Sequence, residues 1–283
     1  MIDKTNGYKK ALQLAKEHYE NFPVVSVFIP KGLRKDVAVI YWFGRTSDDI
    51  SDEGVMDTAE RLKMLNQFEE DFQNALNGNF KNDYFAALAE TIAVRKLDTS
   101  LFTDLLSAFR QDITTNRYQN FSEILDYCRR SANPVGRLVL QLHGYFDEQR
   151  GKLSDKICTS LQLINFYQDL NVDFLKNRLY IPTEEISSFG LREDLMFITE
   201  RNPQLEKLIE TQLKRAEKLM HEGMPLIKLL KGRLRVEIAA TCYGGLKMAE
   251  IIRKNGFTSY LQRATLRKID FFSIFMKALV KCR

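Results

Sequence analysis

Cysteine, histidine, proline, glycine and long apolar runs are all scarce in this chain, and each scarcity removes a class of protein. The four cysteines (Cys128, Cys158, Cys242, Cys282) stand far apart, with no Cys-x-x-Cys and no paired histidines. That spacing argues against a zinc site or a disulfide framework and suits reduced thiols in a cytosol. His143 lacks a partner in sequence and reads as a satisfied core histidine, as do His18 and His221. No apolar stretch approaches the roughly 18 residues that cross a bilayer, and the opening MIDKTNGYKKALQLAKEHYENF is too polar for a signal peptide. The expectation is a cytoplasmic protein that at most rests on a membrane surface. The net charge of +5 is modest and its basic residues are spread widely except toward the C-terminus, which argues for an anionic ligand or a lipid surface and against a dedicated nucleic-acid binder.

Six prolines and fourteen glycines are few for 283 residues. Long stretches of polar–apolar period with so little punctuation predict an all-α protein. Helices are expected near 5–19, 33–53, 58–76, 83–96, from 101 to 116, 122–146, 161–180, 184–190, 203–220 and 225–255. Pro134 should kink the helix over 122–146 near Arg130. Gly244-Gly245 should weaken the last of these helices locally. The tail YLQRATLRKIDFFSIFMKALVKCR joins Arg263, Arg267 and Lys268 to an apolar patch whose first half reads as core. With no internal repeat and no linker, residues 1–283 read as one domain.

Two stretches carry the chemistry. In LQLINFYQDLNVDFLKNRLY, Asn165, Asp169 and Asp173 follow one another at four-residue intervals. On one continuous helix they fan over roughly 80° of a single face. Upstream, in LRKDVAVIYWFGRTSDDISDE, Tyr41, Arg45, Asp48 and Asp52 fall within roughly 60°, with Asp49 on the shoulder. The remaining surface of that helix is apolar, so its acidic end belongs to a buried environment and needs cations or donors. If the two helices face each other, five aspartates surround one cavity. Two or three Mg²⁺ ions would neutralise them, since hard cations take oxygen ligands and leave positions for phosphate. A diphosphate bridging the metals would meet Arg45, Arg178 and Arg263 directly. The carbocation left after C–O heterolysis needs shelter from water and aromatic faces, for which Tyr41, Tyr127, Phe22, Phe166 and Tyr243 are available. The reaction class is metal-assisted ionisation of an allylic or cyclopropylcarbinyl diphosphate.

The segments YWFGRTSDDISDE, YCRRSANPVGRL and NFYQDLNVDFLKNRLYIP, in this order, resemble the squalene and phytoene synthase family. The likeness runs over residues 21–268. It implies the isoprenoid synthase fold, a single helical bundle around a central apolar cavity with two aspartate-rich helices. It implies Mg²⁺ on Asp48, Asp52, Asp169 and Asp173, with Asp49 and Asn165 beside them. By motif match, Tyr41, Arg45, Gln162, Asn165 and Tyr243 contact substrate or diphosphate, and Arg263 matches a family arginine. Where many members carry a serine-rich phosphate loop, this chain has Asn21-Phe22-Pro23, which leaves Asn21 as the candidate contact there. The small glycine often found in the kinked helix is replaced in Ser131-Ala132-Asn133-Pro134.

The combination NFPVVS with CRRSANPVGR is most similar to the hydroxysqualene synthases of bacterial hopanoid pathways. That likeness implies conversion of presqualene diphosphate and water to hydroxysqualene and diphosphate, with pathway enzymes and a peripheral membrane surface as partners. No nicotinamide cofactor is expected. Asn133 could hold the attacking water, or cap backbone at the kink. The rival activity is head-to-head condensation of two prenyl diphosphates to presqualene diphosphate, dehydrosqualene or phytoene. The rival outside enzymology is a silent assembly member of the family.

Overall fold

The computed structural model describes residues 2–17, 29–192, 194–195 and 198–282. The expectations for His18, Asn21, Phe22 and Pro23 lie outside the described residues. Among the described residues the chain is helical without strands, and it forms two compact units, Met1–Thr114 with Pro134–Phe146, and Thr115–Asn133 with Asp147–Arg283.

The first unit holds α1 (Lys4–Glu17), α2 (Arg34–Asp52), α3 (Thr58–Leu76), α4 (Asp83–Arg95), α5 (Ser100–Thr114) and most of α7 (Asn133–Leu142). Local chemistry sets several of these boundaries. The Asp57 and Asn82 side chains accept the backbone N–H of Glu60 and Phe85 and so start α3 and α4. Lys96, at φ 54°, closes α4 in the left-handed region. The core is aromatic: Phe43 meets the Phe102 ring edge-on at 5.2 Å, and Trp42 stacks on Tyr84 at 4.6 Å. Asp36 is buried there because Arg95 Nε donates to it at 2.8 Å.

The second unit holds α6 (Phe121–Ser131), α8 (Glu148–Gln168), α9 (Leu170–Leu175), α10 (Thr183–Ser188), α11 (Pro203–Gly223), α12 (Leu226–Leu229), α13 (Gly232–Lys254) and α14 (Lys268–Lys281). Helix α11 lies tightly on α8. A Cβ on Gly223 would stand 2.8 Å from the Leu153 carbonyl oxygen, and Ser160 Oγ donates to the Ala216 carbonyl at 2.6 Å. Tyr118, Tyr127, Phe166 and Tyr180 form a ring cluster in which Phe166 stacks on Tyr180 at 3.8 Å.

Five expectations need correction. The helix expected over 122–146 is two helices, α6 and α7, separated at Ala132; Pro134 has no N–H to carry the ladder back to Arg130. The helix expected over 225–255 divides into α12 and α13, because Leu230 is extended and Gly232 takes φ 59°. Helix α13 runs unbroken through Gly244-Gly245, where Gly245 serves close approach instead: a Cβ there would stand 2.8 Å from Leu161 Cδ2. His221 is exposed on α11. In the first half of the tail, Tyr260, Ala264 and Asp270 are buried, whereas Ile269 and Phe271 are exposed.

Candidate active site

In the first unit the site elements sit on α2. Val39, Trp42 and Phe43 are buried in the aromatic core and fix the rotation of this helix, which leaves Tyr41, Arg45, Asp48, Asp49 and Asp52 partly accessible. Arg45 gathers three acids: Nη2 lies 2.8 Å from Asp49 Oδ1 and 2.5 Å from Glu53 Oε1, and Nη1 lies 3.6 Å from Asp48 Oδ2. Burial disfavours its charge, but the Asp49, Glu53 and Asp48 carboxylates hold the guanidinium pKa above its ordinary value. Burial also raises the Tyr41 phenol.

These acids stand at the C-terminus of α2, the negative end of its macrodipole, where no basic residue occupies the last turn. Arg61, from α3, covers that end by donating to the carbonyls of Ile50, Glu53 and Gly54 at 3.0, 3.0 and 2.8 Å. The carboxylates themselves keep access to solvent; the Asp48 side chain is 48% exposed. Hard oxygen donors crowded at a negative helix end are a donor set that Mg²⁺ fits.

In the second unit the expected single acidic helix is broken. Asp169 caps α8 at φ −101°, and Asp173 lies on the separate short helix α9. The four-residue spacing survives the break, because Asp169 N donates to the Asn165 carbonyl and Asp173 N to the Asp169 carbonyl, both at 2.9 Å. Arg263 binds Asp169 with two nitrogens, Nε to Oδ1 at 2.5 Å and Nη2 to Oδ2 at 3.2 Å. That bond holds the Arg263 pKa above its ordinary value. Asn165 is exposed and Gln162 half-buried on α8. Arg178 lies in the turn after α9, with its backbone N–H on the Asp173 carbonyl at 2.8 Å.

The other candidates also lie in this unit. Tyr127 and Phe166 are buried in the four-ring cluster. Tyr243 is buried on α13, under the Lys277 ammonium at 4.8 Å, and burial raises its phenol pKa. Asn133 is buried, and its Oδ1 accepts the Thr159 hydroxyl at 2.9 Å. Among the described residues, no group of three His, Cys, Asp or Glu side chains is drawn together as a ready ligand set. Arginines occupy carboxylates in both units instead.

Sequence reasoning missed three residues. Glu53 closes on Arg45 two turns later and was legible in the run DDISDE. Arg61 lies beyond a turn, so only the folded chain reveals it. Glu237, on α13, has Oε2 buried without a hydrogen-bond partner, and burial raises its pKa to about 7. Nothing in RVEIAAT distinguishes it from an ordinary surface glutamate.

Comparison with known proteins decides the family, since the squalene/phytoene synthase model matches residues 15–270. The chain belongs to the squalene/phytoene synthase family. It is 35% identical to the hydroxysqualene synthase of Zymomonas mobilis subsp. mobilis over 237 residues, 81% of this chain and 77% of that one. It is 33% identical to the hydroxysqualene synthase of Rhodopseudomonas palustris over 263 residues, 92% of this chain and 88% of that one. The crystal structure of a squalene synthase from Alicyclobacillus acidocaldarius superposes with a TM-score of 0.84 at 35% identity, covering 90% of this chain and 95% of the other. This family member therefore has the all-helical isoprenoid synthase fold, and it is an enzyme acting on prenyl diphosphates.

Proposed function

We propose that this enzyme ionises presqualene diphosphate with the help of Mg²⁺ and captures the rearranged cation with water, releasing hydroxysqualene and diphosphate. The observation that carries this reading is the 33–35% identity to three hydroxysqualene synthases over most of the chain. Asp48, Asp49 and Asp52 of α2, with Asn165, Asp169 and Asp173 of α8 and α9, would hold the metal. Bound Mg²⁺ supplies Lewis-acid stabilisation of the departing diphosphate. Arg45, Arg178 and Arg263 add charge-assisted hydrogen bonds to its oxygens. For Arg45 and Arg263 this means exchanging a carboxylate partner for phosphate when substrate enters. Gln162 and Asn165 orient the diphosphate end, while Tyr41 and Tyr243 present ring faces to the cation. In the balance of the reaction one C–O bond to diphosphate breaks, the water oxygen forms a new C–O bond, and the water's second proton is released.

A second reading is head-to-head condensation of two prenyl diphosphates. The A. acidocaldarius protein named a squalene synthase, at 35% identity, favours it. Separate incubations with farnesyl diphosphate and with presqualene diphosphate, each with Mg²⁺, distinguish the two by extracted product. Hydroxysqualene from presqualene diphosphate alone supports the first reading. Presqualene diphosphate or a hydrocarbon formed from farnesyl diphosphate would replace it with the second.

A further inference from the structure

Glu237 is a half-buried carboxylate that the chemistry above does not use. Its Oε2 is buried with no hydrogen-bond partner among the described residues, a costly state for a group that ionises. The rotation of α13 shows where this side chain lies. One side of the helix packs on α8 and α11, where a Cβ on Gly245 would stand 2.8 Å from Leu161 Cδ2 and 3.1 Å from Met220 Cε. Another side packs on α14, with Lys247 3.7 Å from Asp270 and Tyr243 under the Lys277 ammonium. At about 100° per residue, Glu237 falls midway between, roughly 80° from Gly245 and roughly 80° from Lys247. Gly244 lies on the same strip, and a Cβ there would meet nothing within 4 Å. The strip borders open space, and Glu237 stands on it.

Helix α8 borders that space as well. It runs parallel to α13, since Arg150 Nε donates to the Leu229 carbonyl at 3.2 Å and Gly245 sits against Leu161. For parallel neighbours, a face turned one way from the contact on one helix adjoins the face turned the opposite way on the other. On α8 that face carries Cys158, Gln162 and Asn165, roughly 40–100° round from Leu161. Glu237 therefore shares a recess with Gln162 and Asn165, which the reaction above assigns to the diphosphate. It lies about 12 Å back along α13 from Gly245, away from Asp169. That end suits the hydrocarbon of a substrate anchored by its diphosphate.

Given the hydroxysqualene reading, on which this assignment rests, we propose that Glu237 is the base of the hydration step, accepting the proton that water sheds as it captures the cation. The water oxygen forms the new C–O bond and one of its O–H bonds breaks. That proton passes to Oε2, directly or through one further water, before leaving to solvent. Burial raises the Glu237 pKa to about 7, which suits a group that must both take and release a proton near neutrality.

The test is incubation of the full chain with presqualene diphosphate and Mg²⁺, reading diphosphate release and extracted products for wild type, Glu237→Gln and Glu237→Asp. In Glu237→Gln, hydroxysqualene formation should fall on the order of 100-fold. Diphosphate release should fall far less, because ionisation precedes capture, and the difference should be recovered as hydrocarbon. Glu237→Asp keeps a carboxylate and should restore part of the alcohol, whereas a residue needed only for its bulk would be served better by glutamine. A wild-type yield of alcohol from Glu237→Gln overturns the assignment. Equal loss of alcohol and diphosphate release also overturns it, since the residue would then act before capture. A wild type that forms no hydroxysqualene refutes the reaction itself and this assignment with it, and that failure is told apart because it needs no variant to be seen.

Discussion

At the scale of single residues, half-buried Glu237 and buried Asn133 are polar groups with opposite circumstances. Glu237 has an oxygen with no hydrogen-bond partner, and folding raises its pKa from 4.5 to about 7. Between those values the native state holds more protons than the unfolded chain, so stability falls as pH rises. Its contribution is complete below the lower value and lost as pH passes through about 7. Glu237→Gln should flatten this slope and raise the melting temperature at neutral pH by a few degrees, of order 1 kcal/mol. An unchanged slope in thermal scans across that range would contradict the burial of this carboxylate. Asn133 is satisfied through Thr159, so Asn133→Ala should cost about 1–2 kcal/mol in denaturant unfolding. In the proposed reaction its side-chain amide would be the group that holds the attacking water. In that role the same variant should also shift extracted products toward hydrocarbon, and an unchanged mixture leaves Asn133 a packing residue.

At the scale of elements, apolar periodicity was enough to mark most helices. Residues 58–76 were legible to the residue, where Asp57 caps one end; α2 came within a residue on its apolar stripe alone, and α4 on its stripe together with the Asn82 cap. Breaks were less legible. Gly232 looks like any helix-start glycine until its positive φ is seen, and no proline or glycine announces the interruption at Asp169. The acidic spacing could be read, but the pairing of Arg263 with Asp169 could not, since 94 residues separate them. Glycines that permit close packing were equally silent. Gly223→Ala would push a methyl against the backbone of α8, 2.8 Å from the Leu153 carbonyl and 3.0 Å from the Ile157 nitrogen, neither of which can swing aside. A loss of about 1–3 kcal/mol is expected in denaturant unfolding, whereas Gly244→Ala, with nothing within 4 Å, should be neutral or slightly stabilising. Equal effects would contradict the packing of α11 on α8.

At the scale of the whole molecule, the proposed reaction gives two remote sets of carboxylates one task, the holding of Mg²⁺ against a departing diphosphate. Arg45 and Arg263 neutralise part of each set. Activity should rise steeply with Mg²⁺ and vanish on chelation. The most direct test is a Mg²⁺ titration of diphosphate release from presqualene diphosphate, run on the wild type, Asp52→Asn and Asp173→Asn. Each variant, though folded, should lose roughly 100-fold or more in kcat, and added Mg²⁺ should restore little of it. Wild-type turnover by either variant, or turnover by the wild type in excess chelator, would contradict the proposed reaction.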